Sequence, residues 1–243
     1  MNYYACLLVN NPCYLAGAAL QPQGIVVHST GANNPNLRRY VQPVPGQRDG
    51  LGGKTREAMA ALLGKNEYGN DWNRAITPAV CVHGFVGKLA DGTVATVQTL
   101  PFSMRCWGCG SGSKGSYNRS HIQFEICEDG MEDPAYLEAA WKEAVSFCAH
   151  LCSTYRIPVS AIRSHAESHR DGYASNHGDP DHWFKRFGRT MDQFRADVAK
   201  ELAGGDETAD KVRSRFGFSD ETMAYLQAYR YADALLRKLA EQK

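Results

Sequence analysis

Residues 164–184, SHAESHRDGYASNHGDPDHWF, gather the side chains best suited to chemistry. His165, His169, His177 and His182 are half of the chain's eight histidines, and Asp171, Asp179 and Asp181 lie among them. Imidazole and carboxylate groups converging where a strand gives way to a loop are a common supply of zinc ligands. A polar surface loop with solvated histidines is the competing reading, and this stretch alone leaves both open. Gly172, Gly178 and Pro180 interrupt a helical run, while Asn176 and Asp179 favour turns. The stretch is therefore predicted to be a loop, entered from an apolar strand over Ile157–Ile162 that ends at His165.

Other candidates lie earlier. Gly24-Ile-Val-Val-His28 reads as a buried central strand with His28 at its end. Residues 120–127 alternate, with Ile122, Phe124 and Ile126 on one face and His121, Gln123, Glu125 and Cys127 on the other. Glu125 becomes a candidate general base if its face lines a cleft, and an ordinary exposed carboxylate if it meets solvent. Trp72 and Asn73 sit in a polar run that fits a rim contacting a polar ligand, although Trp72 could equally cover the core. Cys106 and Cys109 form a lone CxxC, compatible with redox chemistry or structural zinc. The glycine-rich run that follows is not a phosphate-binding P-loop, because Ser113-Lys114-Gly115 inverts the required order.

The elements that must position these residues can be read in outline. Residues 79–86 and 93–100 are β-rich and joined around Asp91-Gly92, as in an antiparallel hairpin. A short helix is predicted near Thr55–Leu63. Asp133-Pro134 opens a longer one, whose buried stripe runs from Leu137 to Tyr155. Thr190–Leu202 is amphipathic, Gly204-Gly205-Asp206 reads as a linker, and a helical tail begins at Ser219. The class is α/β: a central mixed sheet flanked by helices, with a small C-terminal helical segment. The expected division is 1–203 as main domain and 207–243 as tail. The tail's stripe of Met223, Leu226, Tyr229, Leu236 and Leu239 needs a cover, and self-association would supply one.

The totals exclude several classes. A chain of 243 residues with a formal charge of +1 and no basic run is a poor non-specific nucleic-acid binder. No apolar stretch approaches the roughly 20 residues that span a bilayer. The N-terminus lacks the pattern of a secretory signal, so synthesis in the cytosol and reduced cysteines are expected.

Taken in order, GIVVHST around His28, VHGFVGKLADGTV around His83, WGCGSGSKGS from Trp107, SHIQFEI around Glu125, and SHAESH with HGDPDHWF resemble the type 2 N-acetylmuramoyl-L-alanine amidases. That family shares its fold with peptidoglycan recognition proteins, and ASNHGDPDHW resembles prophage endolysins of Gram-positive bacteria. The resemblance implies zinc held by His28, His165 and Asp179, with His177 a rival third ligand. It also implies Glu125 and His177 as catalytic residues and Trp72, Asn73 and Trp107 as substrate contacts. The implied substrate is bacterial peptidoglycan, cut between N-acetylmuramic acid and L-alanine after release of the protein to the wall, which makes 1–203 the catalytic domain and wall targeting the alternative to self-association for the tail. A non-catalytic peptidoglycan-binding module of the same fold is the alternative. Two positions depart from the family: Trp107-Gly-Cys-Gly110 replaces a common Trp-His-Ala-Gly, and Asp181 stands where Gly is common.

Overall fold

The computed structural model describes residues 1–227, 229 and 232–241. Six strands, β1 (Tyr3–Ala5), β2 (Gly24–Ser29), β3 (Gly84–Lys88), β4 (Val94–Gln98), β5 (His121–Ile126) and β6 (Ile162–Ser164), form one sheet in the order β1-β4-β3-β5-β2-β6. Only β3 and β4 pair antiparallel, as the hairpin pattern required; every other pair is parallel. The sheet is mixed and flanked by helices, in agreement with the sequence.

Helices α1 (Pro12–Ala16) and α2 (Arg56–Leu63) lie with the long 31–53 loop over one face, where Leu37, Met59, Leu63, Phe85 and Val97 form a core. Helix α3 (Pro134–Tyr155) covers the other face and brings Leu137, Trp141, Phe147 and Leu151 against Ile25, Val27, Ile122 and Phe124. Asp133 caps its start and Pro134 occupies its first turn, where a missing N–H is harmless. The apolar alternation of β5 thus feeds the α3 side, and Gln123 and Glu125 face the opposite way.

The 164–184 stretch is not one loop. His165–Arg170 forms α4 and Asp181–Arg186 forms α5. The signal overlooked in the sequence is Ser164-His-Ala-Glu167, a reciprocal capping box in which Ser164 accepts from the Glu167 N–H and Glu167 accepts from the Ser164 N–H. Arg195 grips the Glu167 carboxylate at 2.8 and 2.9 Å and locks that helix start. The strand before it is Ile162–Ser164, shorter and later than expected. Trp183 and Phe184 bury in the main core and anchor α5.

The predicted linker is also absent. Helix α6 runs from Met191 to Phe216 straight through Gly204 and Gly205. Glycine weakens a helix by only about 1 kcal/mol per site, and packing outweighs that here. Ala209 and Val212 of α6 bury against Met223 of α7 (Asp220–Gln227) and Leu236 of α8 (Ala232–Glu241). The tail stripe is thus covered largely within the chain, which removes the reason to invoke self-association.

The first half of α6 delivers Phe194 and Val198 to the main core, so a chain ending at Gly205 keeps every residue of both sheet-facing cores. It is expected to unfold cooperatively within a few degrees of the full chain in a thermal melt. Failure to fold would make the tail part of the main folding unit.

Candidate metal centre

Parallel pairing places the reactive groups. Strand β2 lies between β5 and β6, with His28 in register with Glu125 on one side and Val27 in register with Ser164 on the other. His28, Glu125 and His165, the first residue of α4, therefore meet beyond the carboxyl ends of adjacent parallel strands, where ligand sites of α/β sheets recur. Asp179 arrives from the α4–α5 loop.

His28 Nδ1 lies 3.1 Å from His165 Nδ1 and 3.1 Å from Asp179 Oδ2, and His165 Nδ1 lies 3.3 Å from Asp179 Oδ1. These three residues are the group able to share a metal ion among the described residues. Their far sides are committed elsewhere. His28 Nε2 meets Gln123 Oε1 at 2.9 Å, and His165 Nε2 meets the Ser175 hydroxyl at 3.3 Å. With protons on the outer nitrogens, both Nδ1 lone pairs and the carboxylate point at one spot. Acceptors so arranged repel unless a cation joins them. Tetrahedral ligands at roughly 2.0–2.1 Å from zinc stand about 3.3–3.4 Å apart, close to the spacing here. The residues fit zinc.

Burial first, then the charges of Asp179 and Glu128, push the Glu125 pKa well up. The residue is half-buried overall, yet its Oε2 is buried and has no hydrogen-bond partner among the described residues.

These groups line a cleft of about 620 Å³ together with Trp107, Asn118, Ser175, His177 and His182. His177 stands on the outer side of His165, ring centroids 4.7 Å apart, with Nδ1 3.0 Å from the Ser175 hydroxyl. It is outside the three-residue cluster, which leaves Asp179 as the third member. Trp107 lies on the cleft wall, 44% exposed.

Trp72 and Asn73 do not reach the cleft. Trp72 packs edge-on against Phe85 and Tyr40. Asn73 is buried, accepting from the Asn10 N–H and donating to the Gln42 carbonyl. The polar run around them ties the 31–53 loop to the N-terminal arm. Cys106 and Cys109 are buried free thiols whose pKa values burial raises, which suits neither redox chemistry nor metal binding.

Sequence reading missed Glu128, which accepts from the Ser29 hydroxyl and the Gly31 N–H and lies 3.1 Å from His182 Nε2 at the cleft edge. It falls one residue past the alternating pattern that revealed Glu125. Gln123 and Ser175 were missed as well; only the shared β5 face hinted at Gln123.

More than half of the chain, residues 18–182, matches the N-acetylmuramoyl-L-alanine amidase family, so the chain belongs to that family. Membership supports a peptidoglycan amidase, and the resemblance to type 2 amidases read from the motifs holds. No curated protein matches the chain. Among solved structures it is similar to the catalytic domain of PlyG, at 22% identity over 83% of this chain and 96% of that one, with a TM-score of 0.51. The catalytic domain of XlyA gives 21% identity, 82% and 99% coverage and a TM-score of 0.52. Staphylococcus aureus hydrolase AmiA, solved with its ligand, gives 18%, 75% and 73%, and 0.50. These likenesses show the shared fold.

Two further histidines are structural. His83 Nε2 donates to the Met104 carbonyl and Nδ1 accepts from the Gln123 N–H, while burial lowers its pKa to about 4. His121 packs against Tyr117 with the ring planes tilted by 30°, and its pKa is likewise lowered to about 4 by burial, then by Arg163. The unfolded chain therefore takes up protons that the native chain refuses between pH 6.5 and 4. The stability these groups contribute is full above pH 6.5 and is lost as pH falls through that window. For His83 the loss is about 3 kcal/mol. Replacement His83→Gln should cut the pH slope of denaturant-measured stability there by about one proton; an unchanged slope would count against a neutral native His83.

Proposed function

We propose that the protein is a zinc-dependent hydrolase that cuts the amide joining the lactyl group of N-acetylmuramic acid to L-alanine of the stem peptide. The observation that carries this reading is the convergence of the His28, His165 and Asp179 acceptors at tetrahedral edge spacing inside the cleft. Two imidazoles and one carboxylate leave a fourth position open, as hydrolytic zinc sites do and closed structural sites do not. All three groups are present, which favours an enzyme over a non-catalytic binding module of the same fold.

Zinc held there would supply Lewis acidity, polarising the amide carbonyl and acidifying water. Glu125, raised in pKa by burial and by two neighbouring carboxylates, is suited to take the water's proton and hand it to the leaving amine. Water's oxygen joins the carbonyl carbon, the C–N bond breaks, and the proton leaves on the L-alanine nitrogen. His177 stands on the open side, where a ring N–H can meet the developing oxyanion. Trp107 offers an exposed aromatic face to the sugar or peptide.

A phage or prophage endolysin is the biological setting that the motifs support, with action on the wall after release. No helix among the described residues is long and apolar enough to cross a membrane. Residues 1–203 would be the catalytic unit and 207–243 an appended helical segment, with wall contact the role its exposed Tyr225 best suits.

Digestion of purified sacculi by this protein should release new L-alanine amino termini without new reducing sugar ends. Glu125→Gln should keep zinc and lower turnover by on the order of 10²-fold or more. Undiminished turnover would remove Glu125 from the mechanism, and reducing ends in place of amines would overturn the amidase reading.

A further inference from the structure

We propose that the Gly108–Cys109 segment, acting through Asn118, Gln123 and Ser175, is the positioning element that sets which nitrogen each cluster histidine turns toward the metal. The inference deepens the zinc reading of the same site and rests on it. It also gives a role to the CxxC segment that the chemistry otherwise leaves unused.

A neutral imidazole carries one proton on either nitrogen, and only the bare nitrogen binds a cation. For both Nδ1 atoms to face the cluster, both protons must sit on Nε2, and each needs a fixed acceptor. Gln123 Oε1 accepts from His28, but a side-chain amide turned over would present a donor instead. Its orientation is pinned. Gln123 Nε2 donates to Asn118 Oδ1 at 2.8 Å. Asn118 Oδ1 is itself held as an acceptor by the backbone N–H groups of Gly108 and Cys109, at 3.1 Å each. Its Nδ2 donates to the Gly110 carbonyl. A backbone N–H can only donate, so the polarity of the whole series starts there and ends at His28 Nε2–H.

The second series starts from the same residue. Ser175 gives its hydroxyl proton to the Cys109 carbonyl at 3.1 Å, which leaves oxygen lone pairs for His165 Nε2 at 3.3 Å. One side of Cys109, its N–H, thus governs His28, and the other, its C=O, governs His165. Close approach explains the glycines. A Cβ on Gly108 would lie 2.6 Å from Gln123 Oε1, and one on Gly110 would lie 2.8 Å from Ser175 Oγ. Gly110 also holds a φ of +64°, which favours glycine.

The test measures zinc affinity by chelator competition on metal-depleted wild type, Gln123→Leu, Asn118→Leu and Ser175→Ala, with long-range proton–nitrogen spectra of the histidines recorded with and without zinc. Activity is not the readout, because Ser175 also meets His177. Each variant should bind zinc roughly 10–100-fold more weakly. Asn118→Leu should change the His28 ring signals and spare His165, while Ser175→Ala should do the reverse. Residues that merely support folding would move both rings or neither. Should Gln123→Leu fold poorly, the Asn118 and Ser175 variants decide. Zinc affinities within about threefold of wild type, or ring signals that ignore the variants, overturn the proposal. A wild type that takes up no zinc would overturn the metal reading instead, and the metal-free ring signals would still judge this one.

Discussion

The parallel register of β5, β2 and β6 is the constraint on which the site depends. Side chains in register on neighbouring parallel strands project from the same face, so pairing His28 with Glu125 and Val27 with Ser164 fixes three reactive residues before any loop is placed. A slip of one residue would turn His28 into the α3 core and Val27 into the cleft. The apolar faces resist such a slip, since Ile25, Val27, Ile122 and Phe124 are fully buried against α3. Burial of hydrocarbon on one face thereby holds the polar chemistry on the other.

The electrostatics of the cleft divide its carboxylates into roles. Asp179 and Glu125 line it, Glu128 lies behind its edge, and the charges of Asp179 and Glu128 both bear on Glu125. Glu128 is satisfied by a hydroxyl, a backbone N–H and His182. Glu125 Oε2 has no hydrogen-bond partner among the described residues, and burial with like charge drives the pKa of this carboxyl up. In the proposed mechanism Asp179 helps hold the metal and Glu125 moves the proton.

Much of this was legible in the sequence, for identifiable reasons. His28 and Glu125 follow from strand patterns of period two, and α3 from Asp133-Pro134 and its apolar stripe, since local rules govern both. The 164–184 stretch was misread where two local rules compete: glycines and proline argued for loop, but the capping box and Arg195 made His165 the start of a helix. Trp72 and Asn73 illustrate a second limit. A polar run with an aromatic looks the same whether it borders a ligand or ties two loops together, and only the fold distinguishes them. Gln123, Ser175 and Glu128 act through partners up to 99 residues away in the chain, which no local pattern reports. The Gly204–Gly205 pair continued a helix because the Ala209 and Val212 contacts outweighed its low propensity.

Calorimetric titration of metal-depleted protein with zinc tests the proposed metal site. Saturation at about one zinc per chain is expected, as an open three-residue site requires, with no comparable binding after His165→Ala or Asp179→Ala. A wild-type chain that takes up no zinc, or variants that bind it as tightly as wild type, would overturn the site.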